Sequence, residues 1–320
     1  MMFFRKSESI SLFTMSVLYV LSIVLSYVNL SLHLNSIDYY KFNLFPIYPY
    51  WAKVINVLFL VVNVFFISKI FTNKDRDIAG EIVGFVYLLM HNKIWFDNHL
   101  NPYLISDFSI LISLYFIVPK DTKQRINIAV FYLSLVFGIF FLFGLNLVYA
   151  FIIPMFLFIL FLKFDWKSWI IFLLGFLLPV YFYVTVYLLL NKNPWLYLGI
   201  LVNYSIGKMF QIQDILMVFQ QSLTNIAILF VLIVLFVSGL KEWSDVSFYS
   251  SKDRRVALFF FFLMFFSLFN YFYIYITYHQ YSYSVIALPY SYYVGRYLNK
   301  ISGKLRYFLI IVILILVSFL

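Results

Sequence analysis

Asp38, Asp97, Asp107 and Asp214, with His33, His91, His99 and His279, stand in or beside short polar segments between long apolar runs. A carboxylate at an apolar, half-buried boundary can act as an acid or base. Asp38 lies in LHLNSIDYYKFNLFPIYPYW (32–51), among tyrosines and prolines. Asp97 lies in HNKIWFDNHLNP (91–102), and Asp107 follows ten residues later, near the start of the next apolar run. Ordinary solvation also accounts for Asp38, Asp97 or Asp214. For Asp107 the competing role is capping the free N–H groups of a helix start. His91, Asp97 and His99 are weak candidate ligands for a hard or borderline divalent metal, since their spacing matches no strong motif. His279 sits in YFYIYITYHQYSYS. Such a strip of tyrosines either anchors helices at lipid headgroups or offers ring faces and hydroxyls to a polar ligand.

The elements that must position these residues are apolar. The 320 residues are 64% hydrophobic, 23% aromatic and only 11% charged, and mean hydropathy is +0.95. So few charges cannot cover a water-soluble surface. Runs approaching about 20 apolar residues suit helices that cross a bilayer, and the ten-residue alternation of a β-barrel is missing. The expectation is an all-α, polytopic helical membrane protein of about eleven spans. They fall near 10–31, 52–71, 78–92, 103–118, two helices within 126–163, 168–190, 223–240, 256–277, 282–295 and 306–320. The third is short and carries Glu81 and two glycines. Arg5 and Lys6 precede the first run, which continues without a small-residue cleavage site and reads as a retained helix.

Threading these runs in order puts all but five of the 23 Lys and Arg residues on one side. The five on the other side are Lys41, Lys53, Lys93, Lys192 and Lys208, together with all four histidines. Positive charge marks the cytoplasmic face, so the amino end is expected inside and the acidic and histidine set outside. The net charge of +10 then reflects topology beside anionic headgroups rather than nucleic-acid binding. There is no cysteine, which excludes thiol catalysis, disulfides and thiolate metal sites within these residues. No P-loop, dinucleotide fingerprint, serine-nucleophile elbow or zinc-protease motif occurs. Nor does the pattern suggest charges buried midway through several spans, as ion-coupled transporters often need.

The layout resembles the integral-membrane glycosyltransferases of the GT-C class. It carries an acidic residue, Asp38, in the first outer loop, and FDNHLNPYLISDF, with Asp97 and Asp107, in the outer turn after span three. The paired helices at 126–163, the turn FDWKSW and the span IIFLLGFLLPVYFYVTVYLL also look like that class. The stretch 126–194 is similar to a group of uncharacterised Bacteroidota inner-membrane proteins. The resemblance covers roughly residues 1–220 as a GT-C-like module, with 221–320 completing one transmembrane domain. It implies transfer of a sugar from a polyprenyl-phosphate donor at the outer face of a bacterial inner membrane. Asp38 would activate the acceptor, and Asp97 and Asp107 would assist. Lys41 or Lys53 would hold the lipid phosphate, while Tyr39, Tyr40 and His279 position the sugar. No organic cofactor is expected. Two departures stand out: the carboxyl-terminal part has no soluble domain, and the first outer loop is short for two interfacial helices. The other reading open at this point is a non-enzymatic envelope component, either a lipid or polysaccharide transporter or a membrane scaffold.

Overall fold

The structure is a computed structural model that describes residues 12–32, 49–71, 80–92, 100–117, 123–142, 151–161, 166–196, 198–199, 223–245, 251–278, 284–301 and 303–319. Among these residues it contains eleven helices of nine residues or more and no strand. In chain order they are α1 (Leu12–Leu32), α2 (Pro49–Phe71), α3 (Gly80–Met90), α4 (Pro102–Ile117), α5 (Lys123–Leu142) and α6 (Ile153–Phe161). There follow α7 (Trp166–Leu189), α8 (Leu223–Asp245), α9 (Ser251–Tyr278), α10 (Ser284–Lys300) and α11 (Gly303–Phe319). Each expected apolar run is thus a helix, and the long run at 126–163 is two.

Three segments are long and apolar enough to cross a membrane: Tyr50–Phe71, Trp166–Leu189 and Asp253–Tyr271. Others are shorter in their described extent. α3 has eleven residues, about 17 Å at the helical rise, against a hydrocarbon core of about 30 Å. The distribution of side chains nevertheless inverts that of a water-soluble bundle. α7 turns Leu174, Leu177, Phe182 and Leu189 outward, and α2 does the same with Leu58, Val61 and Phe65. Meanwhile the tyrosine-rich α10 is buried along most of its length, from Val285 to Arg296. Exposed apolar area of this extent is stable only against lipid or a partner surface.

α10 is the axis of the bundle, packed against α3, α8 and α9, with α2 behind α3 and α4 packed on α2. Its contact with α3 depends on Gly295. A Cβ there would stand 2.7 Å from Val83 Cα, so only glycine lets the two backbones meet. α5 and α7 cross in the same way: a Cβ on Gly138 would meet the Phe176 carbonyl, and one on Gly175 the Ser134 side chain. Close approach through small residues is how helices associate where lipid removes the hydrophobic drive. α7 ends at Asn191, whose φ of 55° is the left-handed turn that asparagine tolerates. Lys192 N there donates back to the Tyr187 carbonyl at 2.9 Å.

At the end expected to face the cytoplasm, α8 and α10 are pinned by charge. Arg296 Nε lies 2.7 Å from Glu242 Oε1. Lys300 Nζ reaches Glu242 Oε2 at 3.0 Å and Asp245 Oδ2 at 2.6 Å. Arg306 donates to the carbonyls of Asn299 and Ile301, at 3.3 and 3.0 Å, which closes the α10–α11 turn. Tyr292 lies flat on Phe260, ring centroids 4.0 Å apart, and its hydroxyl accepts from Arg296.

Candidate functional site

The described polar side chains concentrate where α2, α3, α4 and α10 meet, towards the other end of the bundle. α4 begins at Asn101, which is the residue that caps it: its Oδ1 accepts from Tyr103 N at 3.0 Å. Pro102 follows at the first helical position, where its missing N–H costs nothing. Asn101 also donates its backbone N–H to Asn56 Oδ1 on α2 and its side-chain amide to Ser284 Oγ, the first residue of α10, both at 2.9 Å. One residue therefore ties three helices together at a single level. On the far side of α3, Asn92 donates to Ser22 Oγ of α1 at 2.8 Å.

Asp107 lies one turn further into α4. Capping is not its role, because Asn101 holds that position. Its side chain is 3% exposed, and Oδ2 accepts from the Tyr87 hydroxyl of α3 at 2.8 Å. The same hydroxyl accepts from Asn63 Nδ2 of α2 at 3.0 Å. Asn63 donates a second time, to the Leu104 carbonyl at 2.9 Å. A helix carbonyl has a second lone pair for such a contact. The chain Asn63–Tyr87–Asp107 thus joins α2, α3 and α4 inside the bundle, and no ion pair to Asp107 occurs among the described residues.

His91, in the turn that ends α3, is buried with its ring 4.4 Å from the Tyr87 ring. Its Nδ1 is 3.1 Å from the Tyr87 carbonyl. A carbonyl can only accept, so Nδ1 carries the proton, and the neutral ring keeps its lone pair on Nε2. Nε2, Asn63 Oδ1 and Ser106 Oγ are buried without a hydrogen-bond partner. Each such atom costs about 1–3 kcal/mol when no partner reaches it.

Of the residues singled out from sequence, Asp107 and His91 belong to this layer. Lys53 is partly exposed near the start of α2. Asp38, Tyr39, Tyr40, Lys41, Asp97, His99 and His279 lie outside the described residues, as do Asp214 and His33. Among the described residues no three His, Cys, Asp or Glu side chains cluster as a metal site. His91 is the one described member of the trio His91, Asp97 and His99, with Nε2 as its free donor atom. The residues that sequence reasoning missed are Asn56, Asn63, Tyr87 and Asn101. A lone asparagine inside an apolar run, as in VVNVFF, was the available signal, since an amide in lipid needs an internal partner.

No family model matches the chain, and no curated protein or solved structure matches it at a significant level. The site therefore rests on its own geometry. That geometry is a buried, three-helix polar chain beneath a clamp of asparagine hydrogen bonds.

Proposed function

We propose that this protein is a multi-pass enzyme of a bacterial cytoplasmic membrane, GT-C-like in plan, with eleven crossings and its amino end inside. In this reading it transfers a sugar from a polyprenyl-phosphate donor at the outer face. The observation that supports it is the Asn101 clamp. Asn101 follows the segment with Asp97 and His99, Asn56 lies in the second turn after the segment with Asp38, and Ser284 follows the segment with His279. Asn56, Asn101 and Ser284 are hydrogen-bonded at one level of the bundle. A site built from three distant stretches requires the helices that flank them to meet in this way.

The chemistry assigned to these residues is a displacement at the anomeric carbon. The acceptor hydroxyl oxygen forms the new bond to that carbon, and its proton passes to Asp38. The bond from the carbon to the donor phosphate breaks, and polyprenyl phosphate leaves with the electron pair. Lys41 or Lys53 offsets charge on that phosphate. Asp97 assists directly or through a divalent metal, and Tyr39, Tyr40 and His279 orient the sugar. Asp107, held inside the bundle by Tyr87, acts as a positioning residue for the start of α4.

A specific observation favours a second, non-enzymatic reading as a transporter. Ionisable groups inside a membrane bundle commonly mark a translocation path, and Asp107 is such a group. One pair of variants separates the two in membranes supplied with lipid-linked sugar. If Asp38→Asn abolishes transfer while expression holds, the enzyme reading stands. Normal transfer by Asp38→Asn removes Asp38 from the mechanism. If no transfer occurs in the wild type and Asp107→Asn alone stops lipid passage across the membrane, the transport reading replaces it.

A further inference from the structure

A cavity of about 190 Å³ opens between α8, α10 and α11, lined by Val237, Ser238, Val294, Tyr297, Leu298 and Ile313 among others. Its wall is apolar in effect, because Ser238 turns its hydroxyl back onto the Leu235 carbonyl at 2.9 Å. Val294, Leu298 and Ile313 form a buried floor, while Ile233 and Val237 form an exposed rim. The volume is smaller than the roughly 300–1,000 Å³ of compact-ligand pockets and suits a slender hydrocarbon chain.

Charge at one end of this groove identifies what the hydrocarbon is attached to. At that end α8, α10 and α11 carry Lys241, Arg296, Lys300, Lys304 and Arg306 against Glu242 and Asp245. Arg296 and Lys300 are paired with those carboxylates, and Arg306 is turned onto backbone carbonyls. Lys241 and Lys304 are exposed. Lys241 lies three, four and seven residues beyond Ser238, Val237 and Val234, which puts it on the groove-lining face of α8. Its Nζ sits 5.2 Å from the ring of Tyr297, itself part of the wall. Lys304, at the start of α11, is turned about 80° or more around the helix from the lining residues Leu309, Val312 and Ile313 and so lies off that face.

We propose that this groove seats an acyl chain of an anionic phospholipid, with Lys241 holding its phosphate at the cytoplasmic boundary. Cationic side chains beside clefts between membrane helices are the usual recognition elements for such headgroups. The proposal rests on the chain being embedded in a membrane and is independent of glycosyl transfer.

The test is native mass spectrometry of the full chain released from detergent, titrated with equal phosphatidylglycerol and phosphatidylcholine. The wild type should retain phosphatidylglycerol preferentially, and Lys241→Gln should cut that preference about fivefold. Val234→Phe, which fills the groove, should lower retention of both lipids. Equal retention of the two lipids by the wild type overturns the proposal, and that arm needs no variant to fold. A preference that survives Lys241→Gln, or retention unaltered by Val234→Phe with helicity intact, overturns it too.

Discussion

The Tyr87 hydroxyl donates to Asp107 Oδ2 across 2.8 Å, and this bond crosses the interface of α3 and α4 within the bundle. It is the one described partner of a carboxylate that is almost fully buried. Tyr87 is in turn held by Asn63, so three helices share one hydroxyl oxygen. Such a node serves stability and positioning at once, and substitutions can tell the two apart.

Tyr87→Phe removes the donor to Asp107 and the acceptor for one Asn63 hydrogen. Leaving buried polar groups unmatched should cost about 1–3 kcal/mol, read as a lower unfolding temperature in detergent. Asp107→Asn keeps an oxygen acceptor for Tyr87 and should be milder. If Asp107 only positions α4, Asp107→Asn retains the proposed transfer activity while Tyr87→Phe lowers it in step with stability. Complete loss in a stable Asp107→Asn would instead make the carboxylate itself a participant.

Asn101→Ala deletes the cap of α4 and the link to Ser284. Caps alone contribute about 1 kcal/mol, so the loss should exceed that figure. Asn101→Asp retains the cap acceptor but has no amide to donate to Ser284. It should fall between wild type and Asn101→Ala in a thermal scan. Equal unfolding temperatures for all three would mean that the clamp contributes nothing.

Much of the helical layout is legible in the sequence because apolar runs between basic turns are a strong signal. The runs near 52–71 and 168–190 match α2 and α7 to within about three residues. α10 is where that logic is weakest. Residues 282–295 read as a short apolar span with Arg296 in the basic turn after it, yet the helix is buried from Val285 through Arg296. Burial there comes from partners distant in sequence: Glu242 for Arg296, Phe260 for Tyr292 and Val83 for Gly295. The Asn63–Tyr87–Asp107 chain was hidden for the same reason. Periodicity marks which faces are apolar, but not which polar side chains from three helices will share one oxygen.

The orientation has a direct test, because the 320 residues contain no cysteine. Lys167 and Asn193 are exposed at opposite ends of the apolar α7. In intact cells, a membrane-impermeant maleimide should label Asn193→Cys and should label Lys167→Cys only after permeabilisation. The reverse pattern would invert the topology and put the acidic set inside.

Asp245 gives a pH prediction outside the membrane-spanning part. The hydrogen bond from Lys300 is the main cause holding its carboxyl below the usual range. A lowered folded-state pKa stabilises above the unfolded value, about 3.9, and that contribution is lost as pH falls through the folded value. Asp245 is about one-third exposed, so solvent screening keeps the effect to a fraction of about 1 kcal/mol. Unfolding temperature should therefore decline slightly more steeply for wild type than for Asp245→Asn as pH drops below about 4. Parallel curves would mean that the pair with Lys300 contributes nothing in solution.

Gly295 offers the sharpest test of the packing at the centre. A methyl group there would lie 2.7 Å from Val83 Cα, and a backbone cannot swing aside as a flexible side chain can. Gly295→Ala must therefore separate α3 from α10 and should cost about 1–3 kcal/mol by overpacking. Gly239 on α8 is the matched control, since its added Cβ would meet only Met264 Sδ at 3.7 Å. Gly239→Ala should be neutral or slightly stabilising, because alanine favours a helix over glycine by about 1 kcal/mol. Because α3 also carries Tyr87, strain at Gly295 should propagate to the polar node. Gly295→Ala should lower the proposed transfer activity as well as stability, and Gly239→Ala neither. If both alanines unfold alike, α3 and α10 do not approach as closely as Gly295 and Val83 require.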